Sequence, residues 1–302
     1  MLLLLLLLPI DKHHELVLNV FKSIFTLDEI KILVEEQIRG LKPFKPGIVK
    51  LSLEKFHPES HKVTLVDDFM GPPSEPPIIE NDLFDDPRNY REIILGSYSP
   101  MHSQGVITFY QKNIEEYCRT LISRALGEGF HCNLANTLFS MFYMVETTWL
   151  HECFHYYCDY KRSFTHSSIN RNLEEAFAVA HSRLEINRSF RRFEFCFADI
   201  INIFGDQHIT LEIEQRRALR AYLRNLERFL HQTVFSDFRS PGYRDWRLYN
   251  RPDYYHRELY EYLKDNHLEN LRSNNFIPVN EFIRHELYML KDKGAELIIS
   301  MV

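Results

Sequence analysis

Two histidines and the glutamate between them form the clearest chemical pattern in the chain. Residues 151–155 have the order His-Glu-Cys-Phe-His, which is an H-E-x-x-H motif. Residues four apart on an α-helix lie on one face, so His151 and His155 can reach the same zinc ion. Glu152 lies beside them and can take a proton from a metal-bound water without being a ligand itself. The motif therefore predicts a zinc site with Glu152 as the general base.

A third protein ligand is expected downstream, because a catalytic zinc site combines three protein ligands with one position open to water. Glu174 and Glu175 lie on a second predicted helix, residues 172–190. Neighbouring residues on a helix point about 100° apart, so only one of the two carboxylates can easily face the metal. The spacing of the residues alone leaves both open.

Other residues near the motif are better explained by packing. The chain has 15 histidines, but His181 lies six residues after Glu175 and off its helical face. Cys153 falls on another face of the motif helix, so we expect core packing for it. The five cysteines lack paired spacing, which argues against a disulfide framework and favours a reducing, cytoplasmic location.

Composition restricts the possible partners. The chain has 302 residues and a net charge of −6, which argues against nucleic-acid binding. The N-terminal leucine run, residues 2–8, is too short to span a bilayer and lacks the flanks of a signal peptide. We therefore expect no stable membrane span, although export or anchoring through this run stays open. No G-x-S-x-G, Walker A or G-x-G-x-x-G string occurs, which disfavours serine-hydrolase, P-loop and Rossmann functions.

The elements that must position the motif are predicted to be mostly helices. The chain has only 10 glycines, which also favours helices over turn-rich β structure. Hydrophobic periodicity predicts helices over 13–40 (two, separated at a capping box at Thr26), 114–126, 133–160, 172–190, 191–204 and 210–232, and again from 254 to the C-terminus. Strands are predicted over 49–54, 62–65 and, as a strand–loop–strand unit, 93–110. Residues 69–88 form an acidic proline-rich loop, and 236–253 an aromatic loop.

These elements predict an α+β fold that is mostly helical, with a small mixed β-sheet and an active-site helix that carries the motif. We expect an N-terminal helical segment with the first strand (1–60), a catalytic core (61–190) and a helical C-terminal subdomain (191–302). The strand 106–110 precedes the motif helix. At the sheet edge beside the zinc, it would hold an extended peptide by main-chain pairing.

The motif and the two glutamates resemble the gluzincin group of zinc metallopeptidases, in which H-E-x-x-H is followed by a Glu ligand on a second helix. Nineteen residues separate His155 from Glu175, similar to thermolysin-like spacing, and eighteen separate it from Glu174, similar to the large zinc aminopeptidases. Residues 174–178, Glu-Glu-Ala-Phe-Ala, resemble E-A-I-S of the first group and E-G-F-A of the second when Glu175 is aligned as the ligand. The resemblance therefore favours Glu175.

What the resemblance implies is a zincin-like core that hydrolyses a peptide or protein substrate. His151, His155 and Glu175 would bind Zn²⁺, and Glu152 would activate water and shuttle the proton. The resemblance covers residues 93–180 and implies no specific family.

Two features depart from the gluzincin pattern. Thermolysin-like enzymes place an Asp one turn after the ligand Glu, where it orients a zinc histidine, and this chain has Val179 there. Another group must orient the histidine, or the site is weaker. The G-A-M-E-N motif of the aminopeptidases is also absent.

The residue that would stabilise an oxyanion is not selected by spacing. The candidates are aromatic or imidazole side chains of the C-terminal third: His231, Tyr243, Tyr249, Tyr254, Tyr255 and His256.

The alternatives to a peptidase are an inactive zincin scaffold with a binding or regulatory role, and a zinc hydrolase acting on a non-peptide substrate. Cleavage specificity, endo- or exopeptidase action and oligomeric state stay open.

Overall fold

The computed structural model describes residues 7–41, 62–65, 79–80, 90–93, 95–101, 104–165, 170–206, 208–237, 252–263 and 296–301, with the single residues 56, 247 and 249. This part of the chain is mostly helical with small β-sheets, which confirms the α+β class at that level. None of its helices has the length and apolarity needed to cross a membrane. The predicted strand 49–54 lies outside the described residues, as does most of the 69–88 loop.

Eight α-helices are described. They are α1 (Leu7–Ile24), α2 (Leu27–Arg39), α3 (Gln111–Gly127), α4 (Leu134–Thr165), α5 (Arg171–Glu185), α6 (Phe190–Gly205), α7 (Ile213–Asp237) and α8 (Pro252–Leu263). The predicted helix 172–190 is shorter than expected, because a 3₁₀ turn, Ile186–Arg188, separates α5 from α6. The capping box between α1 and α2 is confirmed: the Thr26 N–H donates to the Glu29 carboxylate at 2.8 Å, and the Glu29 N–H donates to the Thr26 hydroxyl at 3.3 Å.

The described strands form two small sheets. They are β1 (Lys62–Leu65), β2 (Ile79–Glu80), β3 (Tyr90–Ile93), β4 (Gly96–Met101), β5 (Gln104–Phe109) and β6 (Glu296–Met301). One sheet has the order β1-β3-β2, and the other, which lies against α4, has the order β4-β5-β6. In the second sheet β5 pairs antiparallel with β4 and parallel with β6, so the sheet is mixed as predicted.

Two expectations about this sheet are wrong. Strand 106–110 was expected at the sheet edge, but β5 is the central strand and β4 is at the edge among the described strands. Helix was expected through to the C-terminus, but β6 pairs with β5 along its whole length. The apolar run Leu297-Ile298-Ile299 gives β6 strong β propensity, and pairing satisfies its backbone groups.

Helix α4 is the central element of the fold. Every residue from 134 to 158 is buried, and α1, α3, α5, α7 and β4 all pack against this helix. Two of its threonines are satisfied within the helix: the Thr147 hydroxyl donates to the Tyr143 carbonyl at 2.8 Å, and the Thr148 hydroxyl donates to the Met144 carbonyl at 3.1 Å. The H-E-x-x-H motif lies in this enclosed helix.

Aromatic side chains hold α6 against α4. Phe193 lies at their centre, with ring centroids 4.9 Å from Phe139 and 5.5 Å from Phe142 of α4. Apolar residues from α1, α2, α3, α4, α6 and α7 share this core. The subdomain boundaries at 60/61 and 190/191 stay predictions.

Replacing Phe193 by alanine should destabilise the protein by about 3–5 kcal/mol, because it leaves a cavity in this fully buried cluster. The matched control is Phe195→Ala on the same helix, where the side chain is 44% exposed and the change should stay within about 0.5 kcal/mol. Urea unfolding measures both. Equal losses for the two variants would contradict the assignment of Phe193 to the core.

Candidate metal centre

Three donor atoms from α4 and α5 converge on one point. His151 Nε2 lies 3.0 Å from His155 Nε2 and 3.1 Å from Glu175 Oε2, and His155 Nε2 lies 3.2 Å from the same oxygen. Zinc–ligand distances of about 2.0–2.1 Å in a tetrahedron place neighbouring ligand atoms about 3.3 Å apart. The triangle of donor atoms is therefore close to the size that a zinc ion requires. The same three residues form the potential metal-binding group among the described residues.

The local structure explains why these residues meet. The i, i+4 spacing places both imidazoles on one face of α4. Helix α5, which packs against that helix, begins at Asn170, whose side chain accepts the Leu173 N–H at 3.2 Å. This start places the Glu175 carboxylate in the first turns of α5, opposite the imidazole pair. All three side chains are buried.

The two adjacent glutamates have different positions. Glu175 contacts the Nε2 atoms of both histidines, whereas Glu174 Oε1 lies 2.9 Å from His155 Nδ1. Of the two, Glu175 belongs to the group that could hold a metal ion, and it is the glutamate that the resemblance favoured. Val179, at the position of the Asp in thermolysin-like enzymes, is fully buried in an apolar cluster, and Glu174 is the carboxylate that contacts a ring nitrogen of a histidine outside the triangle. Such a carboxylate fixes the orientation of a ligand histidine and raises its basicity.

Two neighbours hold Glu174 in its charged form. Arg162 of α4 forms an ion pair with Glu174, and the Tyr262 hydroxyl of α8 donates to Oε2 at 2.7 Å. Burial raises the pKa of the Glu174 carboxyl, but the hydrogen bonds from His155 and Arg162 outweigh burial and lower the pKa to about 2. An ionised carboxylate only accepts, so His155 Nδ1 carries a hydrogen. In the neutral imidazole this leaves the Nε2 lone pair for a metal.

The charges around the ligand atoms suit a cation. Burial raises the pKa of Glu175, but the charges and hydrogen bonds of His155 and His151 together outweigh burial and hold the pKa well below its ordinary range. Burial lowers the pKa of His155, and the charges of Glu175 and Glu174 raise it well above the usual value. A positive charge at this point is therefore favourable, and a bound metal ion would supply one.

Glu152 is buried between α4 and the edge strand. A Cβ atom on Gly96 of β4 would lie 2.7 Å from Thr148 Cγ2 and 3.1 Å from Glu152 Oε1. Only glycine lets the strand backbone approach the helix this closely. The backbone of β4, rather than that of β5 as expected, therefore lies beside the predicted general base.

The other sequence candidates lie in different surroundings. His231 Nδ1 is 2.8 Å from the Tyr143 hydroxyl, and the ring of Tyr249 packs on Phe177 at 4.5 Å. The buried Tyr255 hydroxyl lies 3.5 Å from His181 Nδ1, while Tyr254 is exposed. Tyr243 and the side chain of His256 lie outside the described residues. The oxyanion-stabilising group therefore stays unassigned.

Cys153 is a core residue as expected, and so is Cys158 three residues after the motif. Cys153 and Cys158 are buried, and burial raises the pKa of both thiols well above the ordinary value. A thiol held in the protonated form is a poor nucleophile and a poor metal ligand.

Three residues of the site were missed at the sequence level. Arg162 lies seven residues after His155, which places both on one face of α4, and this spacing was a usable signal. Gly96 is a glycine within a strand, which often marks close backbone approach. Tyr262 lies 88 residues beyond Glu174, and nothing local in the sequence indicates their contact.

Comparisons with protein-family models, with curated proteins and with solved structures return no match. The interpretation of the site therefore depends on its own geometry and chemistry.

The two glutamates should differ in metal binding. Glu175→Gln removes the charged ligand atom and should weaken zinc binding most. Glu174→Gln leaves the three ligand atoms in place and should weaken binding by about 10–100-fold, as loss of an outer partner does. Competition with a chromophoric chelator measures both affinities, with His151→Ala as the reference for a lost ligand. A stronger effect at Glu174 than at Glu175 would reverse the two roles.

Proposed function

We propose that this protein is a zinc-dependent metallopeptidase of the gluzincin type. The observation that carries the proposal is the convergence of His151 Nε2, His155 Nε2 and Glu175 Oε2, with Glu152 on the same helix. Two imidazoles and one carboxylate are a donor set typical of catalytic zinc. Bound zinc would polarise the scissile carbonyl and lower the pKa of a water molecule.

The proposed chemistry assigns Glu152 to proton transfer. In the H-E-x-x-H pattern the Glu next to the first histidine acts as the base without being a ligand, and Glu152 holds that position. Glu152 is only 1% exposed, so protein groups rather than bulk water surround its carboxylate. In this role Glu152 takes a proton from the attacking water and returns it to the leaving amine.

The proposed substrate is an extended peptide that lies along β4. Among the described strands, β4 pairs with β5 and ends the sheet, so its other edge offers backbone groups of the kind that an added strand binds. The contact of Gly96 with Glu152 places this edge strand at the proposed general base. A zincin-like fold is part of the proposal, and the motif helix with its neighbouring edge strand supports it.

Replacing Glu152 by glutamine should separate binding from catalysis. The amide keeps the shape of the side chain but takes up no proton, so zinc should remain bound while hydrolysis falls by about 10²–10⁴-fold. Glu214→Gln, an exposed site on α7, is the control. The assay incubates the zinc-loaded protein with unfolded proteins and identifies new peptide N-termini by mass spectrometry.

The outcomes of this assay separate the alternatives. Hydrolysis that survives Glu152→Gln would remove Glu152 from the role of general base. A wild-type protein that binds zinc but cleaves no peptide would favour the binding scaffold or a non-peptide substrate. A wild-type protein that binds no zinc would refute the proposal.

Replacing Gly96 of β4 by alanine should also slow hydrolysis, because it disturbs the position of Glu152. The added methyl group must displace Thr148 or Glu152, and an error of about 1 Å in a reacting group can cost about 10²-fold in rate. Zinc affinity should change little, because the atoms nearest to the added methyl group belong to Thr148 and Glu152 and not to the ligand residues. The control is Gly127→Ala, where an added Cβ meets nothing within 4 Å. Equal activity of the two variants would show that β4 does not constrain Glu152.

A further inference from the structure

The hydroxyl of Tyr262 joins three parts of the metal centre. It donates to Glu174 Oε2 at 2.7 Å, and it accepts from Arg162 Nη1 at 3.2 Å and from the Asn170 N–H at 3.4 Å. A tyrosine hydroxyl has one hydrogen to donate, and guanidinium and backbone N–H groups cannot accept it. Both nitrogen groups approach the oxygen as donors, so the hydrogen is directed to Glu174.

Burial and charge keep this hydroxyl a donor. Burial and the neighbouring Glu174 carboxylate both raise the pKa of Tyr262 above its ordinary value. The phenol therefore stays protonated across the physiological range. Its hydrogen bond to an ionised carboxylate belongs to the stronger class of hydrogen bonds.

Helix α8 is held at this place by apolar contacts that do not need the hydroxyl. The Tyr262 ring lies 5.6 Å from that of Phe177 on α5. Tyr255 and Leu259, also on α8, are fully buried in the same cluster, which includes Phe154 of α4. A phenylalanine at position 262 keeps the ring in this cluster.

We propose that Tyr262 is a positioning residue for the metal site and that it couples metal binding to the docking of α8. The path runs from the Tyr262 hydroxyl to Glu174, from Glu174 to His155 Nδ1, and from His155 Nε2 to the metal. This inference rests on the zinc ligands of the proposed function. Coupling is reciprocal, so a metal at the site must stabilise α8 on α5 as much as docked α8 strengthens metal binding.

The first test is the zinc affinity of Tyr262→Phe, measured by chelator competition with Zn²⁺ alone. We expect about a tenfold loss, at the lower end of the range for outer partners of a metal ligand. Tyr254→Phe on the same helix is the control, because Tyr254 is exposed and stacks on Tyr249. Thermal unfolding of the metal-free proteins shows whether Tyr262→Phe folds like the wild type.

A double-mutant cycle tests whether the effect passes through Glu174. Tyr262→Phe should change zinc affinity less than about twofold in a Glu174→Ala background, because the intermediate group is then absent. A purely structural effect of the missing hydroxyl would persist in that background. Equal losses in the two backgrounds would overturn the proposed path.

Hydrogen exchange tests the reciprocal effect. Zinc should slow amide exchange in α8 of the wild type and of Tyr254→Phe. In Tyr262→Phe, which lacks the coupling hydroxyl, zinc should slow this exchange much less. If the wild type binds zinc and Tyr262→Phe binds it equally well, this inference fails while the metal site stands. If the wild type binds no zinc, both proposals fail together.

Discussion

The constraint on which the rest of the structure depends is the enclosure of helix α4. A helix buried over 25 residues, 134–158, is shielded from bulk water that would otherwise satisfy its polar side chains. The imidazoles of His151 and His155 must therefore find partners inside the protein. Glu174 and Glu175 are those partners, and Glu175 with the two histidines forms the group that could hold a metal ion.

The neighbouring residues Glu174 and Glu175 contact different nitrogen atoms of the histidines. Helical geometry turns one carboxylate to the Nε2 atoms and the other to Nδ1. The second carboxylate is in turn held by Arg162 and Tyr262. Charges alternate along this chain of contacts, so each group lowers the cost of burying the next.

Two distant segments approach the motif for opposite reasons. Strand β4 comes close because Gly96 has no side chain, and the space it leaves is used by Thr148 and Glu152. Helix α8 comes close because Tyr262 brings both an aromatic ring for the core and a hydroxyl for Glu174. On one side, the motif helix α4 thus packs against the backbone of β4 at Gly96. On another side, α8 is linked to the site through the hydrogen bond between Tyr262 and Glu174.

The sequence by itself determined the parts that depend on helical periodicity. The i, i+4 pair His151 and His155 and the capping box at Thr26 follow from 3.6 residues per turn and from short-range hydrogen bonds, whereas the preference for Glu175 over Glu174 came from the resemblance to gluzincins. Tertiary structure decided which strand lies beside Glu152, the pairing of β6 with β5, and the contact of Tyr262 with Glu174. These depend on packing between segments far apart in the chain, where no local spacing specifies the partner.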